Sequence, residues 1–377
     1  MLATFLIILA VLAAELVTSF VLFPLKLGKS YYAVRINHIV YQYHSVIGYV
    51  LKPKIRYSNP TQPPRDAPRK IHFVDVRTNH NGFLTPIKLE ALPQDQKLIF
   101  CIGGSTTAGF ESHHDNTYPA ILDSLLEPKG YRCINAGVGG YRSIHELLFF
   151  KEKILGHSPS AVIMFSGFND FEAHCYRVSK PYDPFRHYLT HELPKTRIDK
   201  LIWFSALLYL LRVKFFIRLK QKREQSGRFA DFISNTFEAL RADRSWLDEW
   251  KTNVTKLIEL CQDKDIRFYL ISHITPIYPN ASPQAKEYAD HDLDMKGQFD
   301  AFAQFHHLLR QESIELCRDK KVTFLDIASD FDNQCRKYSG VDYYGHRFSW
   351  FVDRVHFTEK GNELVARFVF ERLEKTL

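Results

Sequence analysis

The chain has 377 residues, an apolar fraction of 45% and a formal net charge of +8 at neutral pH. This length accommodates one α/β domain with a membrane anchor and insertions, and the apolar content excludes a disordered chain. Basic and acidic residues are interleaved and no nucleic-acid-binding motif accompanies them, so nucleic acid is not an expected partner.

The N-terminal residues 1–25 predict a membrane anchor. Residues 1–23 are almost wholly apolar, with Glu15 as the one charge, and their length suits a helix that crosses a hydrocarbon core. The cost of Glu15, roughly 2–3 kcal/mol, is smaller than the roughly 4–8 kcal/mol that the apolar side chains contribute to insertion. A cleaved signal peptide ending near Ala13-Ala14 is the alternative, but its basic n-region is missing. We therefore expect a single-pass membrane protein.

The side of the membrane is not decided by the flanking charges. Lys26, Lys29 and Arg35 follow the segment, and the positive-inside rule read literally places the domain in the cytoplasm. Large domains also translocate regardless of so small a bias. Both sides stay open, and an extracytoplasmic domain is the preferred interpretation.

Residues 26–96 are expected to form a tether and an N-terminal extension. Within them, residues 50–70 carry five prolines among polar residues, which predicts an extended linker because proline lacks a donor and blocks helices. Asn81-Gly82 between short apolar stretches predicts a turn.

From residue 97 to the C-terminus, strand-like and helix-like stretches alternate. The predicted strands are short, apolar and often β-branched: Lys97 to Ile102, Tyr131 to Asn135, Ala161 to Phe165, Arg267 to Ser272 and Val322 to Ile327. Apolar residues at helical spacing predict helices over Tyr118 to Leu126, Ile144 to Leu155, Trp246 to Cys261 and Phe299 to Cys317, with a final helix that begins near Thr358. This alternation predicts a parallel sheet covered on both faces.

Residues 175–245 interrupt the alternation. Leu201 to Leu211 is strongly apolar, and residues 212–223 carry six cations and no acid. Two interpretations stay open, a helical cap over the active site and a basic amphipathic segment at an anionic membrane surface.

The six cysteines form no Cys-x-x-Cys pair, so their spacing indicates neither a disulfide framework nor a redox compartment. Cys101 and Cys133 lie within predicted strands, where a free cysteine usually behaves as a small buried hydrophobe.

Candidate chemical groups follow the predicted strands, where parallel sheets bind ligands. Ser105 comes after Gly103-Gly104, which permits a sharp exit from the strand and suits a nucleophile. Thr107 replaces the second glycine of a Gly-x-Ser-x-Gly elbow, and no phosphate-loop lysine follows. Asp353 and His356 lie three apart, so the carboxylate could orient an imidazole that takes the serine proton.

Acyl transfer also needs donors for the developing oxyanion, and the candidates are the N–H groups of Ser105 and Gly140 and the side-chain amide of Asn169. No second cluster of histidine or cysteine stands at ligand spacing, so a metal is not expected at Asp353 and His356. His113 and His114 are interpreted as loop residues.

Four segments together resemble the SGNH, or GDSL-like, hydrolase superfamily. These segments are Gly103-Gly104-Ser105-Thr106, Asn135 to Gly140, Gly167-Phe168-Asn169-Asp170 and Asp353 to His356. The resemblance implies Ser105 as nucleophile, His356 as base, Asp353 as its orienting acid, and Gly140 and Asn169 in the oxyanion hole. Gly104 and Thr106 depart from Gly-Asp-Ser-Leu, a familiar variant. Asn79 to Phe83 is similar to an element that precedes the first segment in membrane-anchored bacterial relatives.

The expected protein is therefore a membrane-anchored serine esterase. Its expected fold is a three-layer α/β/α sandwich around a flavodoxin-like five-stranded parallel sheet, with the hydrolase-like domain at 97–377 and the helical insertion at 175–245. The substrate would be an O-acylated carbohydrate or a lipid, and no cofactor is needed. An O-acyltransferase that uses the same serine, or a non-catalytic envelope scaffold, is the alternative.

Overall fold

The computed structural model describes residues 2–22, 40–60, 73–179, 205, 207–208, 244–293 and 298–377. The chain divides into two compact units. One unit comprises Met1–Lys52 with Pro184–Arg228, and the other comprises Pro53–Asp183 with Phe229–Leu377. Most of the predicted cap at 175–245 lies outside the described residues, so the cap stays a prediction.

The first unit contains helix α1 at Leu2–Val17, which continues as a π-helix over Thr18–Leu22. The large apolar side chains of α1 are exposed, with Ile7 at 64%. Glu15 accepts hydrogen bonds from the Ser205 hydroxyl at 2.8 Å and from the Leu207 N–H at 3.2 Å. Within the described residues, no helix combines the length and the apolar character that crossing a membrane requires.

A hairpin completes the described part of this unit. Strand β1 at Tyr41–His44 pairs antiparallel with β2 at Gly48–Leu51, and Gly48 takes a φ of +100° in the turn. Such a backbone angle favours glycine because a side chain would clash there.

The second unit opens with another antiparallel pair, β3 at Arg56–Pro60 and β4 at Phe73–Arg77. The backbone is extended here, as the prolines predicted, but it is paired into a ladder, so the linker interpretation is wrong for residues 56–60. Pro60 ends β3 and Pro53 lies in the preceding turn, positions where a missing N–H removes little from a two-stranded ladder. Residues 61–72 lie outside the described residues.

A five-stranded parallel sheet forms the centre of the second unit. Its strands are β5 at Lys97–Gly103, β6 at Tyr131–Gly137, β7 at Ala161–Phe165, β8 at Arg267–Ile271 and β9 at Thr323–Leu325. The order is β6-β5-β7-β8-β9, which is the flavodoxin-like order predicted from the sequence. Every residue of β7 is buried, as expected for a central strand covered on both faces.

Helices alternate with these strands. They are α2 at Ser105–Ala108, α3 at Tyr118–Leu126, α4 at Ser143–Phe149, α5 at Phe168–Ser179, α6 at Ser245–Gln262, α7 at Pro283–Asp292, α8 at Phe299–Lys320, α9 at Ile327–Cys335, α10 at Gly340–Phe348 and α11 at Glu359–Leu373. One group of contacting helices contains α3, α9 and α11, and a second contains α4, α5, α6 and α8. The sheet and these two groups form the predicted α/β/α sandwich.

The predicted elements agree closely with the observed ones. The final helix begins where expected, because the Thr358 hydroxyl accepts the Gly361 N–H at 3.2 Å and caps α11. The helix predicted over Ile144 to Leu155 changes at Phe150 into a π-helix that ends at Ile154. Cys101 and Cys133 are buried in adjacent strands, with their sulfur atoms 3.3 Å apart.

Candidate active site

Three loops meet where the central strands end. Gly103 at the end of β5 pairs with Gly137 of β6 on one side and with Phe165 of β7 on the other. The segments that follow these strands therefore start side by side at one edge of the sheet, where open α/β sheets bind ligands. They carry Ser105, Gly140 and Asn169, so the sheet brings together three of the residues that the sequence predicted.

Glycines allow the serine turn to approach its neighbours closely. A Cβ at Gly103 would overlap the Thr107 side chain and the Phe165 carbonyl oxygen, and one at Gly104 would stand 2.5 Å from Asn169 Nδ2. Ser105 then opens the short helix α2, so its own N–H has no acceptor within the helix. Gly109 ends α2 in the left-handed region at a φ of +67° and turns the chain back.

The loop before α11 places His356 against Ser105. His356 Nε2 lies 2.8 Å from Ser105 Oγ, and His356 Nδ1 lies 2.7 Å from Asp353 Oδ2. The other oxygen, Asp353 Oδ1, accepts the N–H groups of Val355 and His356, each at 2.8 Å. The carboxylate is thus held by the backbone of its own loop and aims the ring at the serine.

These contacts shift the pKa values of both partners. Burial works to raise the pKa of Asp353, but the charge of His356 and the hydrogen bonds from His356 and Val355 lower it to about 2. Burial likewise works to lower the pKa of His356, but the carboxylates of Glu111, Asp353 and Glu172 raise it to about 9. The imidazolium form is therefore strongly favoured in the resting site.

The candidate oxyanion donors lie beside the serine. Asn169 Nδ2 donates to the Tyr141 carbonyl at 2.8 Å, and the amide keeps a second hydrogen for another acceptor. Gly140 has a φ of +76°, which bends the loop after β6. The roles of Ser105, Gly140 and Asn169 as oxyanion donors stay a prediction.

The sequence motifs assigned no role to four charged residues around this site, which are Glu111, Asp170, Glu172 and Arg354. Glu172 lies one helical turn beyond Asn169 on α5, and its carboxylate accepts a hydrogen bond from Arg354 Nη2 at 2.8 Å. This ion pair joins α5 to the loop of His356. The spacing of three between Asn169 and Glu172 was the available signal, since such residues share a helix face.

Asp170 joins the segments that carry the candidate oxyanion donors Gly140 and Asn169. Its carboxylate accepts the Ser143 N–H at 3.0 Å and the Ser143 hydroxyl at 2.6 Å, which ties the start of α5 to the start of α4. Burial raises the pKa of Asp170 to about 6 although both bonds from Ser143 work to lower it.

Glu111 lies beside His356, and its Oε1 is 3.7 Å from His356 Nε2. Its side chain is 9% exposed, and burial raises the pKa of its carboxyl. No motif in the sequence marks this residue, because only the turn at Gly109 brings it back to the histidine.

His113 and His114 follow Glu111 and behave differently from each other. His113 is exposed, and its backbone N–H donates to Glu359 Oε1 at 3.1 Å. His114 begins a short 3-10 helix and is buried, with its N–H donating to Asp75 Oδ2 at 3.1 Å. In the described ranges, no group of three or more histidine, cysteine or acidic side chains is arranged to hold a metal ion.

A family model matches more than half of the chain. Residues 101–364 match the model of the GDSL-like Lipase/Acylhydrolase family. A comparison with curated proteins gives no match.

Solved structures also match over most of the chain. A GDSL-like lipase from Bacteroides thetaiotaomicron is 16% identical, covers 77% of this chain and 95% of its own, and has a TM-score of 0.40. An acetyl xylan esterase from Geobacillus stearothermophilus is 14% identical, covers 73% of this chain and 93% of its own, and has a TM-score of 0.42. These TM-scores are too low to carry an argument about this chain.

Proposed function

The chain belongs to the GDSL-like lipase/acylhydrolase family and is an ester-hydrolysing enzyme, and we propose that it acts through an acyl-enzyme on Ser105. The observation that supports this most directly is the line of contacts from Ser105 Oγ to His356 Nε2 at 2.8 Å and from His356 Nδ1 to Asp353 Oδ2 at 2.7 Å. Ser105 and His356 are 251 positions apart, so only the fold aligns them.

The proposed reaction begins with proton transfer from the Ser105 hydroxyl to neutral His356. The serine oxygen attacks the ester carbonyl, and Asp353 stabilises the imidazolium that forms. The N–H groups of Ser105 and Gly140 and the amide of Asn169 would receive the oxyanion. His356 returns the proton to the departing alcohol, and a water molecule activated by the same histidine then releases the acid.

The proposed substrate is an ester of the cell envelope, either an O-acylated carbohydrate or a lipid. This proposal follows from the predicted membrane attachment through residues 1–25 and from the net charge of +8. Attachment is tested by fractionation of cells that express the full chain or a form lacking residues 2–22. An equal share of both forms in the membrane fraction would contradict attachment through this segment.

A fluorophosphonate probe tests the proposed chemistry, because it labels only activated serines. We expect labelling of wild type at Ser105, identified by mass spectrometry of the labelled peptide, no labelling of Ser105→Ala and weak labelling of His356→Ala. Circular dichroism establishes that each variant is folded. A folded wild type without labelling would contradict the esterase and favour the non-catalytic scaffold.

Hydrolysis and acyl transfer are separated by product analysis. We expect free acid to accumulate when an ester is supplied in the presence of excess sugar. Preferential acylation of the sugar would instead identify an O-acyltransferase.

A further inference from the structure

Glu111 lies on the reacting side of the candidate base. Its Oε1 is 3.7 Å from His356 Nε2, the same nitrogen that lies 2.8 Å from Ser105 Oγ. Asp353 holds the opposite nitrogen of the ring. Glu111 therefore lies beside the nitrogen that exchanges a proton with Ser105.

The loop that carries Glu111 is fastened to the helix that follows His356. Asn362 Nδ2 donates to the Ser112 hydroxyl at 2.9 Å, and the His113 N–H donates to Glu359 Oε1 at 3.1 Å. Ser112 and His113 are the two residues that follow Glu111. The backbone next to Glu111 is thus held by two contacts with the start of α11, the helix that follows His356.

The charge of Glu111 is less compensated than that of its acidic neighbours. Glu172 is paired with Arg354 at 2.8 Å, and Asp353 accepts two backbone N–H groups in addition to the imidazole. In the part of the chain that the structure describes, no lysine or arginine lies within 4.0 Å of the Glu111 carboxylate. When His356 is neutral, the form that accepts the serine proton, the 3.7 Å contact supplies no positive charge, and a cation brought by the substrate would then be the counter-charge of the Glu111 carboxylate.

The alcohol part of an ester must lie close to this carboxylate. In the proposed reaction His356 Nε2 gives its proton to the departing oxygen, which places that oxygen about 3 Å from Nε2. With 3.7 Å between Nε2 and Glu111 Oε1, the departing oxygen lies no more than about 7 Å from the carboxylate. A cationic group two carbons beyond that oxygen can turn towards Glu111 and come within the screening length of about 8 Å at physiological salt, where the two charges attract.

We propose that Glu111 is a specificity-determining residue that selects esters whose alcohol part carries a cationic amine or ammonium group near the ester oxygen. The inference rests on the proposed function and extends it to the class of substrate. Glu111 acts on binding and on the departing group, while Ser105, His356 and Asp353 perform the bond chemistry.

Two acetate esters of equal shape test the inference. Acetylcholine and 3,3-dimethylbutyl acetate differ in one atom, a cationic nitrogen in place of a neutral carbon. Acid release in a pH-stat at pH 8 gives kcat/KM for each. We expect wild type to prefer acetylcholine at least about tenfold, a ratio within reach of one nearby charge.

Three variants locate the source of the preference. Glu111→Gln is expected to bring the ratio close to one, and Glu111→Asp, which keeps the charge, is expected to retain part of it. Glu363→Gln, at an exposed acid of α11, is the matched control and is expected to keep the wild-type ratio. Glu111→Asp keeps the test decisive if Glu111→Gln does not fold.

The possible outcomes distinguish a failure of this inference from a failure of the proposed function. If Ser105 is labelled by the fluorophosphonate but acetylcholine is not hydrolysed faster than its neutral analogue, Glu111 does not select a cation and the inference alone is overturned. The same follows if a folded Glu111→Gln variant keeps the preference. If Ser105 is not labelled at all, the proposed function fails and the inference fails with it.

Discussion

Asp353 orients His356 with one oxygen while its other oxygen is held by the backbone of the same loop. Oδ2 lies 2.7 Å from His356 Nδ1, and Oδ1 accepts the N–H groups of Val355 and His356 at 2.8 Å. The ring orientation is therefore set by a loop of four residues and does not depend on a distant element. The contact to Ser105, in contrast, depends on how that loop is placed over the sheet.

Replacement of Asp353 by asparagine tests this orientation. Asp353→Asn keeps the size of the side chain but removes the charge that stabilises imidazolium, so kcat for ester hydrolysis is expected to fall about 10⁴-fold. Asp330→Asn is the control, because it makes the same change at another paired aspartate. Asp330 on α9 accepts a hydrogen bond from Arg372 on α11 at 2.6 Å. Equal activity of wild type and a folded Asp353→Asn would show that this carboxylate has no catalytic part.

The pH dependence of activity follows from the raised pKa of His356. The groups that face His356 are Asp353, Glu111, Glu172 and the partly compensating Arg354. Because a base must be neutral to accept a proton, kcat/KM for a neutral ester should rise with pH and level off above the His356 pKa of about 9. Rates are measured between pH 6 and 10 and corrected for spontaneous hydrolysis.

The variant Glu111→Gln tests whether the Glu111 carboxylate raises the pKa of His356. Removal of a carboxylate that raises the pKa of His356 should move the rising limb to lower pH and increase activity near pH 7. A limb that stays in place would mean that Glu111 does not influence the base.

The amide of Asn169 is expected to act on the transition state. Asn169→Ala should lower kcat about 10²–10³-fold with little change in KM, since an oxyanion donor acts only once charge develops. Asn333→Ala, at an exposed position of α9, is the control. A variant that changes KM and leaves kcat alone would place Asn169 in substrate binding instead.

The ion pair of Arg354 and Glu172 should stabilise the placement of the histidine loop. Arg354→Gln leaves the largely buried Glu172 carboxylate, 12% exposed, without its partner, and the free energy of unfolding should fall by about 1–3 kcal/mol. Urea unfolding of both single variants and of Arg354→Gln/Glu172→Gln measures the coupling. Additive effects would mean that the pair contributes nothing as a unit.

We expect that position 137 does not tolerate a side chain, because the backbone of another segment lies close to Gly137. A Cβ there would overlap the backbone of Thr107 and Ala108 behind the serine, so Gly137→Ala should cost about 1–3 kcal/mol of stability and reduce fluorophosphonate labelling. Gly156→Ala is the control, because nothing lies within 4 Å of its added Cβ. Full labelling and unchanged thermal unfolding of Gly137→Ala would contradict this packing.

Much of the fold followed from local pattern. The apolar run of Ala161 to Phe165 became β7 with the same bounds, and the helical spacing of Tyr118 to Leu126 became α3 with the same bounds. Strand alternating with helix implies right-handed parallel connections, and these leave few possible strand orders. The pairing of residues 56–60 was missed because a proline-rich stretch carries the same local signal in a ladder and in a linker.

The sequence by itself determined which side chains are available for the chemistry, because Ser105, Asn169 and His356 each follow a recognisable strand or precede a recognisable helix. The tertiary structure alone decided what surrounds them. Glu111 and Glu172 reach His356 only through the turn at Gly109 and the packing of α5 against the final loop. Electrostatic interactions depend on distance in space rather than along the chain, so the charge around the base was decided by the fold.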